Sequence, residues 1–299
     1  MIGTVAVLMG GTSSEREVSL ASGQAVLRAL HAAGVDAFAI DLGVNRIQQL
    51  MQAQFDTAFI IEHGGMGEDG HLQAILAAMG KPYTGSDAAA CALAMNKHHT
   101  KSIWRDLGLP VADSVVLSDS TDFQAAFERL GPKVMVKPVA DGSSVGNHIC
   151  HSAQQIQDAY RAAMQYGQVM AERFVEGHEY TCAILDGQAL PMIRIESQTG
   201  VYDYAAKYQT GDTSYHIPCG LEPQVEAQAQ ALCVAANQAL GCSMWSRVDL
   251  IAGPEGFVLL EVNTVPGMTA TSLVPKAAAA VGIDFPQLCV KIAEMAHER

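Results

Sequence analysis

Residues 245–263, WSRVDLIAGPEGFVLLEVN, carry the pattern that decides how this chain is read. Two apolar runs flank Gly253-Pro254-Glu255-Gly256, so the stretch reads as a hairpin of strands Trp245–Ile251 and Phe257–Val262. In Arg247-Val248-Asp249 and Glu261-Val262-Asn263 the i, i+2 spacing puts both polar residues of each strand on one face. A loop of odd length, for example Pro254–Gly256, would pair residue 249 with 261 and 247 with 263. All four side chains then share a face, and Val248, Leu250, Leu260 and Val262 turn to the core. Asp249, Glu261 and Asn263 offer only oxygens, the ligand set of Mg²⁺, and Arg247 beside them could hold a phosphate or an oxyanion. The plain alternative is a solvated sheet face with a cross-strand ion pair, but such a face more often carries Lys, Thr and Gln.

Upstream of the hairpin the chain has two styles. Thr4–Met9 is a short apolar run ending in Gly10-Gly11, a buried strand breaking into a sharp turn. Ser13 or Ser14 can cap a helix with Glu15 and Glu17 in its first turn and an apolar face of Val18, Ala21, Ala25 and Leu30. Ala37–Asp41 and Phe55–Ile61 read as further strands, and a helix follows near His71–Met79. This alternation implies a small parallel sheet whose loops after Met9 and Ile61 share one edge, where open α/β sheets bind ligands. After the Ala-rich helix Ala88–Met95 the pattern changes to α+β, so a boundary falls near Asn96. Short strands (Val115–Leu117, Lys133–Lys137, His148–Cys150, Val169–Phe174, Tyr180–Leu185) alternate there with helices near Phe123–Leu130 and Ala153–Tyr166. Glu196–Gly220 is polar and tyrosine-rich with little apolar periodicity, which suits a functional loop or lid. A helix, Val225–Leu240, then leads into the hairpin.

Composition bounds the function. With 299 residues, 49% of them hydrophobic and 16% charged, the chain can bury a large core. Its 18 Lys and Arg against 31 Asp and Glu leave −13, which disfavours general binding to nucleic acid or anionic membrane. Anionic substrates stay open if the few cations converge in one cleft. No apolar run reaches the roughly 18 residues that span a bilayer, and the start lacks a basic leader, so a cytoplasmic protein is expected. Cys91, Cys150, Cys182, Cys219, Cys233, Cys242 and Cys289 are an odd set without CxxC spacing, consistent with reduced thiols.

Three further constellations carry chemistry. There is no GxxxxGK[ST], and GGTSSE is not GxGxxG, so a nucleotide would be held by neither a P-loop nor a dinucleotide fingerprint. Gly142-Ser143-Ser144-Val145-Gly146 satisfies G-x-S-x-G around Ser144, but the extended residues after it lack the helix a nucleophile elbow needs. It reads better as a glycine-serine flap able to close over phosphates, with Lys137 beneath as a point charge; an ordinary surface turn is the plain alternative. His63-Gly64-Gly65-Met66-Gly67-Glu68-Asp69-Gly70 brings backbone close to a ligand, with His63 at the strand's end. Glu172–Val175 and Glu179 read as lying on neighbouring strands that could meet adenine and ribose. His98-His99 reads as helix surface.

Together these pieces resemble the D-alanine–D-alanine ligases of the ATP-grasp superfamily, from Val5 to about Ala296. The resemblance rests on GGTSSEREVSL (10–20), HGGMGEDG (63–70), PYTGS (82–86), MNKHHTK (95–101), KPVADGSSVG (137–146), YDYAAKY (202–208), RVD (247–249) and LLEVNTVPGMTATSLVP (259–275). It implies an α/β and α+β protein. A Rossmann-like substrate domain would span 1–96, and two ATP-grasp lobes, 97–178 and 179–299, would clamp ATP. Lys97 and Lys137 would then contact the ATP phosphates, with Glu172, Val175 and Glu179 around adenine and ribose. Asp249, Glu261 and Asn263 would hold two Mg²⁺ ions, or Mn²⁺ in their place. Glu15 would meet the ammonium of the first D-alanine and His63 its carboxylate. Arg247 and the Gly267 N–H would hold the oxyanion, while Lys207, Ser272 and Leu273 would receive the second D-alanine. Ser143 and Tyr208 would link to Glu15 on closure. A homodimer feeding peptidoglycan synthesis is expected, with no nucleic-acid or membrane partner. The chain departs from the family at Asp141, where Glu is usual, and at Met244-Trp245-Ser246, where small residues are commoner. The rival readings are another ATP-grasp ligase, including one that makes D-alanyl-D-lactate, a serine hydrolase at Ser144, and a non-catalytic nucleotide-binding module.

Overall fold

The computed structural model describes residues 2–140, 146–197 and 213–298. In chain order the first elements are β1 (Val5–Gly10), α1 (Arg16–Ala32), β2 (Ala37–Leu42), α2 (Arg46–Gln52), β3 (Thr57–Ile60), α3 (His71–Ala78), α4 (Ala88–Met95) and α5 (Lys97–Asp106). There follow β4 (Ser114–Leu117), α6 (Phe123–Leu130), β5 (Val134–Pro138), β6 (His148–Cys150), α7 (Ala153–Ala163) and β7 (Val169–Arg173). The remainder is β8 (His178–Leu185), β9 (Gln188–Ala189), β10 (Ile193–Ser197), β11 (Thr213–His216), α8 (Pro223–Ala239), β12 (Trp245–Gly253), β13 (Gly256–Asn263), α9 (Leu273–Ala279) and α10 (Phe285–His297).

The described residues form three sheets. β1–β3 make a parallel sheet in the order β2-β1-β3, with Leu8 opposite Ile60, so the loops after β1 and β3 leave at the same edge. Both strands are wholly buried, as parallel strands covered on two faces must be. An antiparallel sheet runs β4-β7-β5-β6, and a larger one runs β11-β10-β8-β12-β13 with β9 against β8. The C-terminal helices return to the first sheet: Leu273, Val274, Leu288 and Ile292 share its core with Val5–Met9 and Phe59. Trp104 of α5 packs instead among Tyr180, Cys182, Ala236 and Val248, in the core under the larger sheet.

Helix α1 differs from the sequence reading. Glu15 stands at its N-terminal boundary without a side-chain cap, and Ser13 spends its hydroxyl on the His63 carbonyl at 2.7 Å. The buried face is Ser19, Ser22, Gly23, Val26, Ala29 and Leu30, while Ala21 is exposed and Val18 half-buried. Apolarity misleads here because the helix approaches β1 closely: a Cβ on Gly23 would stand 2.6 Å from that of Met9. Small residues permit the approach. Ser19 satisfies strand-end polar groups, accepting from Gly10 N–H at 2.9 Å and donating to the Ile61 carbonyl at 2.7 Å.

The strand expected over Phe55–Ile61 is shorter, and the helix near Ala153–Tyr166 finishes as a 3-10 turn over Met164–Tyr166. Glu172 and Glu179 are not on neighbouring strands. β7 belongs to the four-stranded sheet and β8 to the larger one, so residues 174–177 cross from one to the other.

Candidate active site

The hairpin reaches the expected pairing by an unexpected route. Gly253 pairs with Gly256 across a two-residue turn, a register that on a regular ladder would set Asp249 opposite Leu260. A β-bulge between Asp249 and Leu250 inserts one residue on the facing strand, and beyond it Asp249 faces Glu261 and Arg247 faces Asn263. The bulge therefore gathers the four polar side chains. The expected core set is corrected with it: Leu259, fully buried, takes the core position in place of Leu260, which is half-buried.

Asp249 is held by four donors. Arg247 Nε and Nη2 reach Oδ1 and Oδ2 at 2.9 and 2.7 Å, Thr181 Oγ1 donates to Oδ1 at 2.6 Å, and Asn263 Nδ2 to Oδ2 at 3.0 Å. Glu261 meets Lys97 Nζ at 3.2 Å. Lys97 is the first residue of α5, and Asn96 caps that helix by accepting from His99 N–H at 3.0 Å. A small recess lined by Glu68, Met95, Lys97, Glu261, Asn263 and Thr264 joins the glycine loop after β3 to the hairpin. Among the described residues no group of three His, Cys, Asp or Glu could cage a metal ion. Two carboxylates and an amide, half-buried apart from Asp249, fit a hydrated Mg²⁺ that completes its shell with substrate phosphates.

One group escaped the sequence reading. Lys101, four residues after Lys97 on α5, is fully buried; its Nζ donates to the Leu259 carbonyl at 3.2 Å and lies 3.0 Å from Glu172 Oε2. The Lys137 ammonium bonds the other oxygen of Glu172. Glu172 is thus a buried carboxylate between two lysines. Burial alone would raise it, but Lys101 and Lys137 overcome that and hold it at about 2. Burial also pulls Lys101 below the ordinary lysine range, yet Glu172, facing two ammoniums, stays the ionised anchor at neutral pH. The i, i+4 spacing of Lys97 and Lys101 was the available signal, since it puts both on one helix face. Val175 packs toward the hairpin end, where a Cβ on Gly253 would meet its Cγ1 at 3.1 Å. Glu179, half-buried on β8, pairs in register with Ile251 and Ile195.

The loops after β1 and β3 meet as expected. A Cβ on Gly64 would lie 3.0 Å from Glu15 Oε2, so the glycine lets the second loop pass against the Glu15 carboxylate. His63 is buried and engaged at both ring nitrogens, Nδ1 with the Val265 carbonyl at 2.9 Å and Nε2 with Ser22 Oγ at 3.1 Å. Beneath it, Arg46 of α2 reaches Glu62 at 3.0 Å and Thr12 Oγ1 at 2.8 Å. Burial pushes Glu62 up to about 7 against the pull of Arg46. Gly267 stands where a Cβ would be 3.0 Å from Ser272 Oγ, and Ser272 precedes α9, whose first residue is the buried Leu273. Ser143, Lys207 and Tyr208, together with most of the expected loop Glu196–Gly220, lie outside the described residues. So does Asp141. The Met244-Trp245-Ser246 departure is packing: Trp245 is buried 6.4 Å from the Phe59 ring, and Ser246 Oγ donates to Asn237.

A parallel sheet with glycine loops at one edge, followed by two antiparallel sheets joined at 174–177 and bearing clustered lysines and carboxylates, defines an ATP-grasp ligase. A family profile for the D-ala D-ala ligase C-terminus matches residues 103–294. The D-alanine–D-alanine ligase of Stutzerimonas stutzeri is 50% identical over 97% of this chain and 93% of its own length. The D-alanine–D-alanine ligase from Bacillus anthracis complexed with ATP superposes with a TM-score of 0.87 at 29% identity, covering 99% of this chain and 98% of its own. The VanG D-Ala:D-Ser ligase from Enterococcus faecalis gives 0.85 at 28% identity, covering 98% and 99%. The chain belongs to the D-alanine–D-alanine ligase family.

Proposed function

We propose that this chain joins two D-alanines into D-alanyl-D-alanine for peptidoglycan synthesis, through an acyl phosphate and with release of ADP and phosphate. The observation that carries it is the bulged hairpin, which presents Asp249, Glu261 and Asn263 beside Arg247 and Lys97 in a chain half identical to a D-alanine–D-alanine ligase. A carboxylate is a poor electrophile, so the first D-alanine must be phosphorylated before an amine can attack it. Lys97 and Lys137 bind the ATP phosphates and orient the transferring group, with Glu172, Val175 and Glu179 on the nucleoside side. Asp249, Glu261 and Asn263 would hold Mg²⁺ or Mn²⁺, which when bound neutralises charge on the transferring phosphoryl. Glu15 binds the first ammonium, and His63 shapes the carboxylate end of that site. Arg247 and the Gly267 N–H stabilise the oxyanion formed as the second amine attacks, while Lys207, Ser272 and Leu273 receive the second D-alanine. Ser143 and Tyr208 link to Glu15 and exclude water from the acyl phosphate. The units 1–96, 97–178 and 179–299 are the working parts of the reaction. No helix among the described residues is long and apolar enough to cross a membrane. A cytoplasmic homodimer is the form to test.

The test is phosphate release with ATP and D-alanine. ADP and phosphate should form only with D-alanine and a divalent cation present, and Asp249→Ala or Glu261→Ala should abolish turnover. AMP and pyrophosphate as products, or turnover without D-alanine, would overturn the reading.

A further inference from the structure

Ser22 is fully buried on α1, two turns beyond Glu15, and the mechanism above gives it no part. Its hydroxyl meets two elements distant in sequence. His63 Nε2 lies 3.1 Å away, and the Met268 N–H donates to the same oxygen at 3.3 Å. The other ring nitrogen of His63 faces the Val265 carbonyl at 2.9 Å. A carbonyl can only accept, so Nδ1 carries a hydrogen, and in the neutral ring Nε2 presents its lone pair. The Ser22 O–H therefore donates to Nε2, leaving its oxygen free to accept from Met268. Every donor in this relay has an acceptor, and the Glu68 carboxylate stands 3.8 Å from Nδ1, beyond hydrogen-bond distance.

We propose that Ser22 is a positioning residue for the ligation. Through this relay it holds the His63 ring, in the tautomer that the Val265 carbonyl sets, and keeps the loop of Gly267 and Met268 in register with the helix that begins beside Glu15. The consequence is geometric. Glu15 and His63 belong to the pocket for the first amino acid, and the Gly267 N–H to the oxyanion that forms on it. Ser22 ties both to one point of a buried helix, so the oxyanion donor keeps its distance from the bound carboxyl group. A misplacement of about 1 Å at such a donor costs roughly a hundredfold in rate. The role rests on the ligase reading, whereas the hydrogen-bond relay does not.

The experiment has two readouts. In protein labelled with ¹⁵N-histidine, the ring nitrogens of His63, assigned by the resonances lost in His63→Gln, should report the Nδ1–H tautomer at pH 7.5. Ser22→Ala should leave Nδ1 protonated but shift the Nε2 resonance, which loses its hydrogen-bond donor, and lower kcat about tenfold to a hundredfold, with KM for ATP unchanged. Ser19→Ala removes the neighbouring buried serine, which bonds Gly10 and Ile61 instead, and so separates loss of the relay from loosening of the helix. It should lower the melting temperature while leaving the His63 Nε2 resonance as in wild type. An Nε2–H tautomer in wild type, an unchanged Nε2 resonance or an unchanged kcat in Ser22→Ala, or the same Nε2 shift in Ser19→Ala would each overturn the proposal. A wild-type protein that releases no phosphate from ATP and D-alanine would overturn the ligase reading alone, because the tautomer is measured without turnover.

Discussion

Replacing Glu172 by glutamine should destabilise the chain far more than replacing Lys101 by methionine, although the two partners share one ion pair. In Glu172→Gln the side chain keeps its shape but loses its charge and one acceptor oxygen, so the fully buried Lys101 faces the second ammonium on Lys137 with no carboxylate between them. Stranding a buried charge in this way costs about 3–5 kcal/mol. Proton linkage gives a separate figure. Glu172 moves from 4.5 to about 2 on folding, which at 1.36 kcal/mol per pKa unit is roughly 3 kcal/mol. The sign is that of a depressed carboxyl: the stabilisation is complete above pH 4.5 and is lost as the pH falls through about 2. Lys101→Met instead leaves Glu172 paired with Lys137 and fills the same volume with apolar atoms. Its cost is the loss of one charge-assisted hydrogen bond and one ion pair, offset by the removal of a buried ammonium, and comes to about 1–2 kcal/mol.

Urea unfolding at pH 7 measures both variants, provided m is unchanged. Expected is a loss of about 3–5 kcal/mol for Glu172→Gln and about 1–2 kcal/mol for Lys101→Met. A Glu172→Gln protein within about 1 kcal/mol of wild type, or a Lys101→Met protein that is the worse of the two, would refute the picture of one carboxylate neutralising two lysines.

Glu62 should behave in the opposite sense. Its carboxyl is raised from 4.5 to about 7, so its contribution is full below pH 4.5 and lost as the pH rises through about 7; between pH 5 and 8 wild type should lose up to about 3 kcal/mol that Glu62→Gln retains, measured by urea unfolding at each pH. Gly23→Ala forces a Cβ to within 2.6 Å of Met9 and should cost about 1–3 kcal/mol, read as a lower melting temperature; an unchanged value would mean that α1 is not seated on β1 as described. Gly267→Ala sets a Cβ 3.0 Å from Ser272 Oγ and should raise KM for the second D-alanine more than KM for ATP, in initial-rate kinetics with each substrate varied.

Much of the fold was legible because the signals were local. Periodicity and glycine punctuation gave the strand–turn–helix start, and the helices Ala88–Met95 and Phe123–Leu130 lie where the sequence put them. What local signals miss is contact between distant elements. The apolar face read from the sequence left out Ser19 and Ser22, because their acceptors and donors, Ile61, His63 and Met268, are supplied by other segments. Lys101 carried no role in that reading, because nothing within α5 announces a carboxylate arriving from β7. The bulge at the hairpin is a third case. The i, i+2 pairs were legible, but the register joining them depends on an inserted residue that no turn signal reveals, and a two-residue turn without it would have put the acids on opposite faces.

These distant contacts also explain how a chain with net charge −13 can offer a site to a polyphosphate. Lys137, Glu172 and Lys101 form one buried cluster, α5 carries it to Lys97 one turn away, Lys97 meets Glu261, and Glu261 faces Asp249, which grips Arg247. These four cations gather in one region of an otherwise acidic molecule, so attraction for an anion is confined there. The carboxylates keep the lysines and the arginine fixed and desolvated while no phosphate is near, which is the preorganisation that electrostatic stabilisation requires. They also make the two kinds of ligand interdependent. Under the proposed function, a phosphate that took Lys97 or Arg247 would free Glu261 or Asp249 from its ion pair, leaving those oxygens for a divalent cation. A cation that took the carboxylates first would free the lysine and the arginine for phosphate. On that reading each ligand would lower the electrostatic cost of admitting the other, because the Arg247–Asp249 and Lys97–Glu261 pairs hold both sets of groups ready.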